Sequence, residues 1–167
     1  EQAHEFEYMA SDVKEDDLVI AVSQSGETAD LLSALDEVDA PVLSVTNVVG
    51  STLARNSDHN MYINAGPEIG VASTKAFTAQ MTVLKLVSYS LDEGLEYARN
   101  SLLETAGKIE EMLEDNRETI YELSEFISEK DDVYFIGRNK GRELAMEASL
   151  KLKELSYIHS EAFPGGE

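Results

Sequence analysis

The chain contains no cysteine. That excludes disulfides, thiolate metal sites and a cysteine nucleophile, and it fits the cytosol. Histidine is scarce: His4, His59 and His159 lie far apart and show no metal-ligand spacing. No run of about 18 apolar residues occurs, so no segment reads as a membrane-spanning helix. Glu1 to Ala10 is polar and acidic and lacks the apolar core of a secretory leader. Positive charge is also short. Thirteen Lys and Arg stand against 33 Asp and Glu, for a net charge of -20. Such a surface repels DNA, RNA and anionic lipid.

What is present argues for a folded domain. Hydrophobic residues make up 43% of the chain, too many for a disordered polyelectrolyte. The length of 167 residues suits one domain, or one domain and the start of a second. A first residue of Glu rather than Met suggests a segment of a longer polypeptide. The acidity also fits a salt-adapted proteome, in which ions screen the surface. It sets a condition on function too. An anionic substrate needs a site built from backbone N–H groups and hydroxyls.

Leu18-Val19-Ile20-Ala21-Val22 is a short, β-branched apolar run. It reads as a strand buried on both faces, as in a parallel sheet. Leu31, Leu32, Leu35 and Val38 then recur at helical spacing. Val42 to Val45 and Met61 to Ile63 read as two further strands. Alternation of strand and helix predicts an α/β fold with a parallel sheet. Residues 74–91 carry so little charge over their first eleven positions that they predict a helix buried nearly all round, against the sheet or a second subunit. Residues 96–115 predict an amphipathic helix with Ala98, Leu102, Ala106, Ile109 and Leu113 on one face. A new unit begins near Arg117, with a helix marked by Ile120, Leu123, Phe126 and Ile127. A strand over 133–136, a Gly137 turn and a helix over 141–155 follow, and 164–167 reads as a loop. The pattern of 18–38 recurs weakly in 133–155.

Three segments carry candidate chemistry. Ser23-Gln24-Ser25-Gly26-Glu27-Thr28 follows a strand and opens a helix. Its hydroxyls, amide and free N–H groups suit a phosphate monoester, or else Ser25 or Thr28 is simply a helix cap. The ending Gly-Lys-Ser/Thr of a nucleotide P-loop is missing. Asn64 to Lys75 contains two glycines, a proline and a Ser-Thr pair. It reads as a ligand-binding loop at a strand's carboxyl end, or as an ordinary long turn. Glu143, Glu147, Lys151 and Glu154 share a helix face. They form either a solvated ion-pair ladder or a lysine and carboxylate poised for proton transfer beside a carbonyl.

Taken together, 23–30, Asn64-Ala65-Gly66, 68–78 and 150–162 resemble the isomerase domain of the glucosamine-6-phosphate synthase family, in the same order. The first motif alone marks the wider sugar isomerase (SIS) superfamily; the later ones are more specific. The resemblance implies a parallel-sheet, flavodoxin-like, three-layer αβα SIS domain over residues 1–116. It also implies the start of a second SIS domain over 117–167. It implies that Ser23, Gln24, Ser25 and Thr28 hold the sugar phosphate and that Val71 and Ser73 line the sugar. Glu154 is then the base that shifts a proton between C1 and C2, Lys151 assists at the sugar oxygens, and Glu147 supports them. The implied ligands are fructose 6-phosphate and glucosamine 6-phosphate, with no metal or organic cofactor. The implied partners are a glutaminase domain of the same polypeptide and a second subunit in a homodimer. Pro67 stands where many members carry Thr. The family's first strand and its Gly-Thr-Ser turn are expected before Glu1. Its ring-opening histidine is expected just past Glu167, so His159 does not inherit that role; its Schiff-base lysine is expected beyond that, and the segment alone is expected to be inactive. Two other readings remain open: a stand-alone SIS isomerase or deglycase, and a sugar-phosphate-sensing regulatory domain.

Overall fold

A computed structural model describes residues 3–6, 8–70 and 72–166. The chain divides into two compact units. One comprises Glu1–Glu68 with Lys75–Ala98, the other Ile69–Thr74 with Arg99–Glu167.

The first unit holds a three-stranded parallel sheet in the order β1 (Val19–Ser23), β2 (Val42–Thr46), β3 (His59–Tyr62). Before it come a short helix α1 (Ala3–Phe6) and a 3-10 turn (Ala10–Asp12). Helices α2 (Ala29–Leu35) and α3 (Thr52–Asn56) connect the strands, and α4 (Lys75–Asp92) follows. Side chains alternate across a strand, and β2 uses both faces. On one face Val42 packs with Ala21 and Leu53, backed by Val19, Leu31, Leu32 and Leu35. On the other, Val45 packs with Ile63 and Ala76, backed by Met61, Ala79, Val83 and Leu84. Helices therefore cover both sides of the parallel sheet, which gives the expected α/β fold class.

Three expectations need correction. β1 is not buried on both faces. Ile20 and Val22 are exposed, because α4 packs over Val45 and Ile63 and β1 lies at the edge of the sheet among the described residues. An open cavity of about 660 Å³ lies along β1, with Phe6, Ile20, Val22 and Leu31 in its lining. The second correction concerns α4, which is not buried all round: Ala76 alone is fully buried and Leu91 is exposed. The sheet takes one face of the helix and leaves the rest outward. Third, α3 was not expected. It is only five residues long, and Ser51 caps it by accepting the Ala54 N–H.

In the second unit α5 (Leu95–Asp115), which begins in the first, leads to α6 (Arg117–Ser128). β4 (Asp132–Gly137) then passes through α7 (Lys140–Ser156) to β5 (His159–Pro164), paired in parallel from Asp132↔His159 to Gly137↔Pro164. This is a strand–helix–strand crossover. Gly137 is required there, since a Cβ would strike the Gly141 carbonyl at the start of α7. Ser149 of α7 and Ser160 of β5 are buried against each other, their hydroxyls 3.0 Å apart. The expected amphipathic face of α5 is only partly covered. Ala98 is buried, whereas Ile109 and Leu113 are exposed, and α6 buries none of its residues.

Candidate functional site

The turn after β1 folds on its own hydroxyls. The buried Ser23 Oγ accepts the Gly26 N–H at 3.0 Å and lies 3.0 Å from Thr28 Oγ1. Ser25 Oγ accepts the Glu27 N–H at 3.2 Å. Thr28 is the N-cap residue of α2, but its side chain makes no capping bond, so a simple cap does not account for this turn. The first N–H groups of a helix have no intrahelical partner. Those of Thr28 and Ala29 find none elsewhere among the described residues. Gly26 has φ +66 and lies against Ser51 and Thr46, where a Cβ would clash. The turn therefore needs glycine for its backbone angle and for space.

The loop after β2 braces this turn from behind. Asn47 N–H and Leu53 N–H donate to the Gln24 and Gly26 carbonyls at 3.1 and 3.0 Å. The Glu27 carboxylate accepts the Thr52 N–H at 2.8 Å. That bond holds the Glu27 pKa below its ordinary value. The loop after β3 joins the same end of the sheet. Asn47 Nδ2 donates to the Gly66 carbonyl at 2.7 Å, and Asn47 Oδ1 accepts the Ala65 N–H at 3.0 Å. Lys75 Nζ donates to the Pro67 carbonyl at 2.6 Å. Gln24, Asn47, Asn64, Gly66 and Glu68 help to line an open cleft of about 630 Å³. The cleft lies at the carboxyl ends of three parallel strands, where folds of this type bind ligands.

Asn47 was missed by the sequence reading, although it follows β2 as Gln24 follows β1. The carboxyl-end rule applied to every strand would have found it. Ser73 is half-buried and already engaged by a neighbour. Val71 lies outside the described residues.

In the second unit, α7 presents a lysine between two carboxylates. Lys151 Nζ lies 2.6 Å from Glu154 Oε2 and 3.5 Å from Glu147 Oε1, and the three side chains are only 20%, 26% and 27% exposed. Glu143 is separate: 69% exposed and paired with Arg142. The solvated ladder is therefore confined to Glu143, and the other three form a shielded cluster. Burial pushes the Lys151 pKa down, but the Glu154 hydrogen bond and the charges of Glu147 and Glu154 outweigh it, so the net shift is upward. A lysine held protonated can polarise an oxygen but cannot take a proton. The adjacent carboxylates can.

Comparison with known proteins adds three findings. The SIS domain family matches residues 1–88. Curated proteins named glutamine–fructose-6-phosphate aminotransferase (isomerizing) are similar to nearly the whole chain. The one from Clostridium perfringens is 44% identical over 177 residues, covering 99% of this chain and 29% of that protein. The one from Thermococcus kodakarensis is 44% identical over 178 residues, covering 100% of this chain and 30% of that protein. Among solved structures, the C-terminal domain of glucosamine-fructose-6-phosphate aminotransferase from Francisella tularensis superposes with a TM-score of 0.81. Its identity is 36%, covering 100% of this chain and 50% of that one. The chain thus spans less than a third of the length of the curated relatives it matches.

Proposed function

The chain belongs to the SIS domain family, and from that premise we propose that it is part of the isomerase half of a glutamine–fructose-6-phosphate aminotransferase. The parent protein makes glucosamine 6-phosphate from fructose 6-phosphate and ammonia released from glutamine. The observation that carries this reading is the 44% identity to isomerizing aminotransferases over 99% of the chain.

The geometry supports a division of labour. Ser23, Gln24, Ser25 and Thr28 offer the phosphate neutral donors. In a chain with a net charge of -20, local hydrogen bonds must offset a repulsive field. Glu154 is the base for proton transfer between C1 and C2. Lys151, held cationic, steadies charge on the sugar oxygen, and Glu147 holds the lysine from its other side. Val71 and Ser73 line the sugar. Residues 1–116 form the first SIS domain and 117–167 open the second. A glutaminase domain of the same polypeptide supplies ammonia, and the protein is cytoplasmic and dimeric. Exposed Ile109 and Leu113, four residues apart on one face of α5, support association, since exposed apolar surface marks interfaces. No described helix is long and apolar enough to cross a membrane.

The test is made on the full-length protein. Ser25→Ala combined with Thr28→Ala removes two phosphate donors and should weaken fructose 6-phosphate binding roughly 10–100-fold by calorimetry. Unchanged affinity would sink the assignment of the turn. Chelators should leave turnover intact, and light scattering should give a dimer.

A further inference from the structure

The ladder between β2 and β3 does not stop where their backbones stop pairing. Its last backbone bond runs from the Ile63 N–H to the Thr46 carbonyl, at 3.0 Å. One residue further on, a side chain takes over. Asn47 accepts the Ala65 N–H and donates to the Gly66 carbonyl, at 3.0 and 2.7 Å. A carboxamide has one acceptor and one donor edge in a single plane. Here it stands in for a peptide unit and extends the pairing into the loop. Elsewhere in the loop, Asn64 Nδ2 donates to the Tyr62 carbonyl and Lys75 Nζ to the Pro67 carbonyl, at 3.2 and 2.6 Å. Asn64 and Gly66 both have positive φ, near 52 and 69, and both are exposed. Asn47 is also tied in the other direction, because its backbone N–H donates to the Gln24 carbonyl at 3.1 Å. One residue therefore links the turn after β1 to the loop after β3, and it forms part of the wall of the cleft between them.

We infer that Asn47 is a positioning residue that sets the spacing between the phosphate turn and the loop beginning at Asn64, and thereby selects the sugar attached to the phosphate. The inference rests on the proposed role of the turn in holding phosphate. Phosphate alone touches one side of this span. A hexose phosphate bridges it, so loosening the loop penalises the longer ligand.

The experiment measures two affinities in the full-length protein by calorimetry, for inorganic phosphate and for fructose 6-phosphate. Asn47→Ala removes both loop bonds without changing charge and leaves the Gln24 backbone bond intact. Fructose 6-phosphate should bind roughly tenfold more weakly. Phosphate affinity should stay within about twofold, below the cost of one lost hydrogen bond. Asn47→Ser, which keeps a hydroxyl and folds more safely, should show the same split with a smaller loss. Equal losses for both ligands, or no loss for either, would overturn the inference. Ser25→Ala serves as the separate control. If it leaves phosphate binding untouched, the phosphate-turn reading fails on its own account. If it weakens phosphate while Asn47→Ala shows no split, only the role of Asn47 fails.

Discussion

The two units use the same local plan, strand then turn then helix, and place their polar groups differently. In the first, the groups sit at the turn itself and are neutral: the Ser23 and Thr28 hydroxyls are bonded to each other, and Ser25 Oγ accepts the Glu27 N–H. In the second, the turn after β4 is closed by the tight approach of Gly137 to α7, and the groups sit about two to four turns along the helix. There they are charged: Glu147, Lys151 and Glu154. A turn offers N–H groups and hydroxyls that suit a fixed anion. A helix face holds long side chains at chosen spacing, which suits proton movement. On the proposed reading, the contrast separates holding from reacting.

The largest effect that would break this contrast is on turnover. Glu154→Gln in the full-length protein should lower kcat by roughly 10²–10⁴-fold, the usual weight of a general base. Fructose 6-phosphate affinity should be nearly kept. Near-normal turnover would remove the helix from the chemistry.

Next come the two glycines. Gly137→Ala places a Cβ into the backbone of α7, which cannot swing aside. It should cost about 3 kcal/mol or more in thermal or urea unfolding. Gly26→Ala meets the Ser51 side chain and a positive φ, and should cost about 2–3 kcal/mol. Its loss should also weaken sugar-phosphate binding. If Gly26→Ala proved the costlier of the two, the second turn would not be the tighter one.

The smallest effects are in the pH dependence of stability, and they fall at opposite ends. Glu27 has a lowered folded pKa. Its contribution is present above the ordinary carboxylate value and is lost as pH falls through the folded value. Lys151 has a raised folded pKa. Its contribution is present below the ordinary lysine value and is lost as pH rises through the folded value. Melting curves of Glu27→Gln should therefore differ from the parent most at neutral pH and converge with it in acid. Those of Lys151→Met should still differ from it at neutral pH and converge with it in strong alkali. Convergence at the same end would erase the distinction.

The parallel sheet of the first unit was legible because Val, Ile and Leu cluster at 18–22 and 42–45, and such runs have few other uses. Helix α7 was legible from its spacing. β5 was not. His159-Ser160-Glu161-Ala162 lacks an apolar run, and its one fully buried side chain is a serine satisfied by Ser149. A strand anchored by a hydroxyl pair leaves no hydrophobic period to read. α3 escaped notice for a different reason, since five residues give barely one turn of periodicity. The site was half legible. Hydroxyls near Gly26 and the charge spacing on α7 show in one dimension. The place of Asn47 after β2 shows there too, but its two loop bonds do not, because their partners are 18 and 19 residues away.

The parallel pairing of β4 with β5 has a consequence for synthesis. On the ribosome β1, β2 and β3 can pair once Tyr62 has emerged, but among the described residues β4 finds its strand partner only when His159–Pro164 has followed α7 out of the exit tunnel. During that interval Tyr134 and Ile136, exposed even after pairing, border an open edge that a neighbouring nascent chain can meet. Slowing translation across α7 should lengthen the interval and lower the soluble yield, with the first unit's folding unaffected.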